Sequence, residues 1–325
     1  MFPTTLLTIS LLVGMLSMET RADEMKLTMN THVYKTVDGI DIHADVYRTD
    51  SAAKKPVLVW IHGGALINGS RNNAPKRMQA LCENEDFVLV SIDYRLAPEV
   101  KVPSIIEDVQ DAFRWIRAKG PALFDADPSR IVVAGGSAGG YLTMMTGICI
   151  EPRPIALLAY YGYGDIDGAW YRYPSTHYRK TRPLYELEEV LPAVSGKVQT
   201  GVGFSRDLAR ARGRYYLYLR QNGLWTREIS GFDPNTERDK LDPYCPVRNI
   251  TADYPPILMI HGNRDTDVPY HLSVDMAREL ARHNVAHELI TIENGEHGFG
   301  GGDPEAIADA HARGMAFIKR HLRGE

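Results

Sequence analysis

Four short, almost wholly apolar runs, separated by stretches with helical patterning, constrain the fold of this chain more than any other feature. They cover residues 56–61, 87–92, 131–134 and 155–159. Strands this uniformly apolar are buried on both faces, as they are in a parallel sheet covered by helices. Because strand and helix patterns alternate, we predict an α/β fold with a mostly parallel central sheet and helices on both faces.

The chain begins differently, with two runs in which apolar and polar residues alternate. They span residues 26–37 and 40–48 and meet at Asp38-Gly39, a dipeptide that favours a tight hairpin. We therefore predict an antiparallel N-terminal hairpin. The clearest helix is expected to start with a capping box at residues 104–107 (SIIE) and to stop at Gly120-Pro121.

A long segment separates the fourth apolar run from the next strand pattern, which begins near Pro256. It holds roughly ninety residues, far more than an ordinary connection, and so must have structure of its own. We predict a lid insertion at about residues 162–252, before the strand at residues 257–260, within a single domain that covers residues 23–325.

The first residues resemble an export signal. Residues 6–18 are apolar, and Thr20 and Ala22 after them suit a signal-peptidase site. We predict a signal peptide at residues 1–22 and an exported protein, periplasmic or secreted. No Lys or Arg precedes the run, so a misassigned start or a buried segment in a cytoplasmic protein remains the alternative. The run is shorter than the roughly 20 residues that span a membrane, so no stable membrane insertion is expected after its removal.

Charge and cysteine content argue against several classes of partner. The formal net charge is -4, and Lys and Arg are dispersed along the chain, whereas nucleic-acid binding needs a basic surface. The three cysteines are isolated from one another, without the paired spacing of zinc or redox sites. We expect no cofactor, no metal and no nucleic-acid partner. The oligomeric state is not set by the sequence.

Residues 135–139 (GGSAG) match the G-x-S-x-G pattern, directly after the apolar run 131–134 and before a helical run. At such a strand-to-helix turn the serine is exposed, and the flanking positions must be small because strand and helix crowd together. Ser137 is the predicted nucleophile, and the backbone N–H of Ala138 should face the forming oxyanion. A glycine-rich turn that only packs a helix on the sheet is the structural alternative.

A second source of N–H groups is expected in the loop after the first apolar run. There the sequence reads His62-Gly63-Gly64-Ala65, which is where the oxyanion loop of such a fold belongs. Glycine allows this backbone to approach a substrate closely. An ordinary Gly-Gly turn would have the same sequence.

A nucleophilic serine needs a base, and the base needs an acid that orients it. Asp265 follows the strand pattern at residues 257–260, and His297 follows the one that ends at residue 292. We predict that His297 accepts the proton of Ser137 and returns it to the leaving group, while Asp265 fixes the imidazole. Asp267 is the rival acid, disfavoured by its spacing from the strand.

Four motifs together resemble the hormone-sensitive-lipase-like esterases. They are HGG at residues 62–64, DYRLAPE at 93–99, EDV at 107–109 and GSAGG at 136–140. The resemblance covers about residues 55–150 and implies an α/β-hydrolase fold. It also implies a serine carboxylesterase that needs no cofactor and cleaves small-molecule short-chain or aryl esters through an acyl-enzyme. Oxyanion donation from Gly64, Ala65 and Ala138 is implied as well.

Two departures from that pattern concern the substrate. The third oxyanion glycine of the family is Ala65 here, and residues 261–269 look more like the acetyl-xylan-esterase, feruloyl-esterase and prolyl-oligopeptidase-like hydrolases. Because the same triad serves ester and amide acyl transfer, an amide hydrolase, such as an arylformamidase or peptidase, is an alternative. A catalytically silent hydrolase-fold binding protein is the alternative of another class.

Overall fold

The computed structural model describes residues 26–325, and within that range one sheet of eight strands has the order β1-β2-β4-β3-β5-β6-β7-β8. The strands are β1 (Thr28–Val37), β2 (Ile40–Arg48), β3 (Lys55–Ile61), β4 (Val88–Ile92), β5 (Ala126–Gly136), β6 (Ala156–Tyr160), β7 (Ile257–Gly262) and β8 (His287–Ile292). The α-helices are α1 (Lys76–Glu85), α2 (Val102–Leu123), α3 (Ala138–Cys149), α4 (Ala169–Arg172), α5 (Thr176–Thr181), α6 (Leu187–Val190), α7 (Arg206–Asn222), α8 (Trp225–Ser230), α9 (His271–Arg282) and α10 (Pro304–Arg323).

The sheet confirms the predicted fold class. β2 pairs antiparallel with both β1 and β4, whereas every neighbouring pair from β4 to β8 is parallel. The hairpin between β1 and β2 turns at Asp38 (φ 51°) and Gly39 (φ 73°), the pair of left-handed conformations that suits a tight turn between twisted strands.

Helices cover both faces of the sheet, and the central strand β5 shows how. Successive side chains of a strand point to opposite faces, so Ile131 and Val133 enter the core that contains the buried face of α2. Val132 and Ala134 enter the other core, together with residues of α1 and α10. An apolar run of this kind is therefore buried on both sides.

The α2 helix differs from its prediction at both ends. It begins at Val102 after the N-cap Lys101, and it continues past Gly120-Pro121 to Leu123. The predicted stop is wrong because a proline in the last turn does not break the helix, whose end is closed by the N–H of Phe124 donating to the Gly120 carbonyl. The glycine serves packing instead, since a Cβ there would lie 2.8 Å from the Phe124 ring.

The segment between β6 and β7, here called the helical insertion (residues 161–256), carries α4 to α8. It is tied to the sheet domain by a buried arginine on α7. Arg212 forms a two-fold ion pair with Glu99 (2.6 and 2.9 Å) and donates to the Ile67 carbonyl at 2.6 Å. Trp225 of α8 donates to the carbonyl of Ala65 at 3.1 Å. The insertion is thus fixed to the loop that follows β3.

The signal peptide and the question of membrane-spanning helices concern different parts of the chain. The predicted signal peptide lies outside the described residues and stays a prediction. Within residues 26–325, none of the helices combines the length and the apolar character that crossing a bilayer requires.

Candidate active site

Ser137 lies at the turn from β5 to α3, in a backbone conformation (φ 57°, ψ −122°) that residues other than glycine rarely adopt. Backbone strain of this kind persists only where the surrounding structure enforces it. Here the backbone segments around the turn lie very close together. A Cβ at Gly139 would overlap the Ile61 carbonyl oxygen, and one at Gly135 would overlap the Gly139 carbonyl. These two glycines are therefore required by the turn, as the sequence predicts.

The structure brings the three predicted triad residues into one hydrogen-bonded row. His297 Nε2 lies 3.0 Å from Ser137 Oγ, and His297 Nδ1 lies 2.7 Å from Asp265 Oδ2. The imidazole therefore connects the hydroxyl to the carboxylate. The three residues follow β5, β7 and β8, parallel strands whose carboxyl ends meet at one edge of the sheet.

Asp265 is buried, and hydrogen bonds to both of its carboxylate oxygens hold it in place. The backbone N–H groups of Asp267 and Val268 donate to Oδ1 at 2.9 and 2.8 Å, while Oδ2 faces His297. Burial alone would raise the pKa of Asp265, but hydrogen bonds from His261 and His297 hold it well below its usual range. Asp265 is therefore ionised at neutral pH and able to stabilise a charged imidazole.

His261 braces the acid loop. Its Nε2 lies 3.2 Å from Asp265 Oδ2 and 3.0 Å from the Val268 carbonyl, and its Nδ1 lies 2.7 Å from Ser273 Oγ. A nitrogen between two oxygen acceptors must carry the hydrogen, so Nε2 donates and Nδ1 accepts from the serine hydroxyl. His261 does not touch Ser137.

Asp267, the rival acid, contacts the histidine at the other nitrogen and at longer distance, 3.7 Å from His297 Nε2. Its carboxylate is already engaged by the helical insertion: Arg220 donates to Oδ1 at 2.8 Å, and the Tyr216 hydroxyl makes a short hydrogen bond to the same oxygen. The geometry thus assigns the Nδ1 contact to Asp265 and makes Asp267 a paired charge beside the imidazole.

The loop after β3, where an oxyanion loop is predicted, has a left-handed backbone over three successive residues. Gly64 (φ 112°), Ala65 (φ 57°) and Leu66 (φ 64°) all have positive φ, and a Cβ at Gly63 would lie 2.6 Å from the Gly136 carbonyl oxygen. The loop therefore passes directly over the nucleophile turn. Gly64 and Ala65 line the pocket described below, while Ala138 is the buried first residue of α3.

His62 supports this loop from beneath. The ring is fully buried, stacks on Tyr94 with centroids 4.3 Å apart, and approaches the Gly63 carbonyl through Nδ1 at 2.8 Å. Burial lowers the pKa of His62 to about 4. The ring is therefore neutral at pH 7 and serves as a brace.

A pocket of about 660 Å³ opens over Ser137 and His297. One of its walls is a face of α7 that presents Ala209, Gly213 and Tyr216, residues spaced so that they share one side of the helix. The remaining lining residues are Trp60, Gly63, Gly64, Ala65, Asn68, Gly69, Asn73, Pro75, Arg77, Gly136, Tyr161, Gly203, Asp267 and Gly298.

Most of these lining residues could not be predicted from the sequence. Tyr161 could have been found, because it follows β6, a neighbour of the nucleophile strand, and its ring lies 4.8 Å from that of His297. For Arg77 and Tyr216 the sequence offers no signal, since helical patterning does not reveal which loop a helix packs against.

One cluster outside the pocket has the composition of a metal site. Asp165, Asp167 and Cys245 place their ligand atoms close together. The carboxylates are already paired, since Arg238 binds Asp167 at 2.7 Å and Arg248 contacts both acids. This charge balance makes the cluster an ion-pair network within the helical insertion.

Comparisons with known proteins agree with this geometry. A model of the alpha/beta hydrolase fold family matches residues 58–300. The 5-methylorsellinic acid synthase of Aspergillus terreus is 28% identical over 91% of this chain. The chain spans only 12–14% of the length of this relative and of two non-reducing polyketide synthases, from Stereocaulon alpinum and Acremonium egyptiacum.

Solved structures with the same fold include esterases. A bacterial heroin esterase has a TM-score of 0.66 at 20% identity, with 91% of this chain and 84% of that chain covered. Esterase 2 of Thermogutta terrifontis, phosphoramylated by tabun, has a TM-score of 0.60 at 22% identity, with 89% and 93% covered. These similarities confirm the predicted fold and the resemblance stated from the motifs.

Proposed function

The chain belongs to the alpha/beta hydrolase fold family, and we propose that it is a serine esterase that cleaves short-chain or aryl carboxylic esters through an acyl-enzyme. One observation carries the proposal: the imidazole of His297 lies within hydrogen-bond distance of both Ser137 Oγ and Asp265 Oδ2. A nucleophile, a base and an orienting acid in this arrangement are what acyl transfer requires.

In the acylation step, His297 Nε2 takes the proton of Ser137 as Oγ bonds to the ester carbonyl carbon. The negative charge that forms on the carbonyl oxygen accepts hydrogen bonds from the N–H groups of Gly64, Ala65 and Ala138. The imidazolium, stabilised by ionised Asp265, then gives its proton to the departing alcohol oxygen as the C–O bond breaks. The acyl group remains on Ser137.

Deacylation repeats the sequence with water. His297 takes a proton from a water molecule whose oxygen attacks the acyl carbon, and the same N–H groups stabilise the second oxyanion. The proton then passes from Nε2 to Ser137 Oγ as the acyl bond breaks. The acid is released and the free hydroxyl is restored.

A matched pair of substrates tests the ester assignment. We expect p-nitrophenyl acetate to be hydrolysed much faster than p-nitroacetanilide, because an anilide carbonyl is less electrophilic than an ester carbonyl and its amine is the poorer leaving group. The measurement is kcat/KM for both, from p-nitrophenol and p-nitroaniline release. A higher value for the anilide would favour the amide-hydrolase alternative.

The pH dependence of kcat/KM should follow the protonation of the His297 imidazole. Burial alone would lower its pKa, but the hydrogen bond to Asp265 and the negative charge of Asp267 raise the pKa above the ordinary value of 6.5. Only the neutral imidazole can act as base, so kcat/KM should fall as the pH drops through this raised pKa and reach its plateau above it.

The substitution Asp267→Asn provides the test, because it removes one of the charges that raise the pKa while the contact of Asp265 remains. We expect the acid limb of the kcat/KM profile to move to lower pH. Glu293→Gln is the matched control, because it removes an exposed carboxylate of the same loop, one that is hydrogen-bonded to Asn263. A limb that stays in place or moves to higher pH would contradict the assignment of this limb to His297.

A further inference from the structure

One end of the catalytic pocket is formed by the start of α1 and the segment before it. Asn73, Pro75 and Arg77 line the pocket there, together with Trp60 from β3. The proposed mechanism makes no use of these residues. They nevertheless line the space in which an ester would bind.

Arg77 is a cation without a counter-charge. Within residues 26–325 its side chain makes no salt bridge with a carboxylate, and its Nε is buried without a hydrogen-bond partner. Its guanidinium lies over the Tyr160 ring, 5.2 Å from the centroid. A cation–π contact stabilises the charge only modestly, and a buried donor left unpaired is unfavourable. An anionic ligand in the pocket would supply the missing counter-charge.

The other charged side chain of the lining, apart from the catalytic imidazole, is already neutralised. Asp267 is paired with Arg220, and the Arg220 guanidinium is surrounded by four aromatic rings at 5.2–5.7 Å. The local charge balance of the pocket therefore leaves the positive charge of Arg77 uncompensated.

Asn73 adds donors at the same end. Trp60 Nε1 donates to its Oδ1 at 3.1 Å, so the amide oxygen is used and the two N–H bonds of Nδ2 remain for a ligand. Asn68, elsewhere in the lining, differs: its Nδ2 donates to the Ala209 carbonyl and its Oδ1 accepts from the N–H of Gly69. Asn68 is committed to the fold, whereas Asn73 has donors to spare.

We infer that Arg77 and Asn73 form an anion subsite and that the natural ester carries a carboxylate, which this subsite holds while Ser137 attacks the ester group. The inference rests on the proposed esterase function. A planar guanidinium binds a carboxylate through two parallel hydrogen bonds, and the Asn73 amide adds a third donor. The carboxylate belongs to the acyl part or to the alcohol part of the substrate.

Two pairs of esters show whether the carboxylate belongs to the acyl part or to the alcohol part. For the acyl part, p-nitrophenyl adipate monoester is compared with p-nitrophenyl hexanoate, and for the alcohol part, 4-acetoxybenzoate is compared with 4-acetoxybenzamide. We expect the carboxylate ester to be preferred in one pair. In that pair, Arg77→Gln should lower the ratio of kcat/KM values, carboxylate to neutral, by about tenfold or more. Arg77→Lys keeps the positive charge but cannot form two parallel hydrogen bonds to a carboxylate, so it should give a smaller decrease.

Lys76→Gln is the matched control. Lys76 is the exposed neighbour of Arg77 on α1 and is not part of the pocket lining, so its removal changes the net charge equally. The same decrease of the ratio in Lys76→Gln would show that the preference for the carboxylate comes from the overall positive charge of this region. Equal losses of kcat/KM for charged and neutral esters in Arg77→Gln would show that Arg77 has a packing role. Either result would overturn the subsite.

A binding measurement separates this inference from the esterase proposal. Calorimetric titration of the wild type with benzoate and with benzamide needs no turnover, and we expect benzoate to bind more tightly and to lose that advantage in Arg77→Gln. If none of the four esters is hydrolysed but benzoate binding depends on Arg77, the esterase proposal fails and the subsite stands. If esters are hydrolysed and benzoate binds no better than benzamide, the subsite fails alone.

Discussion

Replacing Ser137 with alanine is expected to lower kcat for p-nitrophenyl acetate by a factor on the order of 10⁴ or more. The substitution removes the Oγ atom that bonds to the acyl group, and neither His297 nor the oxyanion donors can replace it. What remains is hydrolysis by a water molecule beside an otherwise intact site. The measurement is initial rates at saturating ester, with active-site concentrations normalised to folded protein.

The control for this substitution is Ser129→Ala. Ser129 is an exposed serine near the start of β5 that hydrogen-bonds to Asp127, away from the pocket. Its replacement should leave kcat close to that of the wild type. Comparable rates for Ser137→Ala and Ser129→Ala would mean that another group performs the reaction.

Replacing Asp265 with alanine should lower kcat by about 10³-fold to 10⁴-fold, whereas Asp267→Ala should lower it far less. Among the residues that the structure describes, Asp265 alone hydrogen-bonds to His297 Nδ1, at 2.7 Å. Without it the imidazole loses both its orientation and the charge that stabilises its protonated form. Asp267 lies 3.7 Å from the other nitrogen and is paired with Arg220.

Loss of the loop structure must be separated from loss of the charge, because Asp265 also accepts backbone N–H groups from Asp267 and Val268. Asp265→Asn can keep an acceptor there while it removes the charge, and it should remain strongly impaired. Thermal unfolding of each variant shows whether the substitution destabilises the fold. A larger loss of kcat in Asp267→Ala than in Asp265→Asn would transfer the role of the acid to Asp267.

The sequence was informative about the triad because each member follows a strand of its own. Ser137, Asp265 and His297 come after β5, β7 and β8, and the carboxyl ends of parallel strands form a common edge. Order along the chain and position after a predicted strand therefore indicated which side chains meet. The tight turn at Ser137 could be predicted for the same reason, since only small residues fit around it.

The substrate end of the pocket could not be predicted in this way. Tyr216 and Gly213 reach it from α7, and Arg77 reaches it from α1. The spacing of residues within a helix indicates which of them share a face, but not the element against which that face packs. Those contacts depend on how the helical insertion sits on the loop after β3, where Arg212 and Trp225 fix it.

The wrong end assigned to α2 has a different cause. Gly120-Pro121 reads as a stop because both residues disfavour a helix interior, yet Gly120 is needed where the Phe124 ring packs closely. Tertiary packing decided the residue at this position, and local propensity did not. The same contrast applies to Asp267, whose role as a paired charge depends on an arginine far away in the sequence.

The most direct test of the central claim, that Ser137 is the nucleophile, is peptide mapping by mass spectrometry after treatment of the folded protein with a fluorophosphonate. The phosphorus would form a covalent bond to Ser137 Oγ with loss of fluoride, as the proton passes to His297. We predict a single adduct on the peptide that contains Ser137, and none on Ser137→Ala. An unmodified Ser137 in the folded wild-type protein, or an adduct on another residue, would contradict the account.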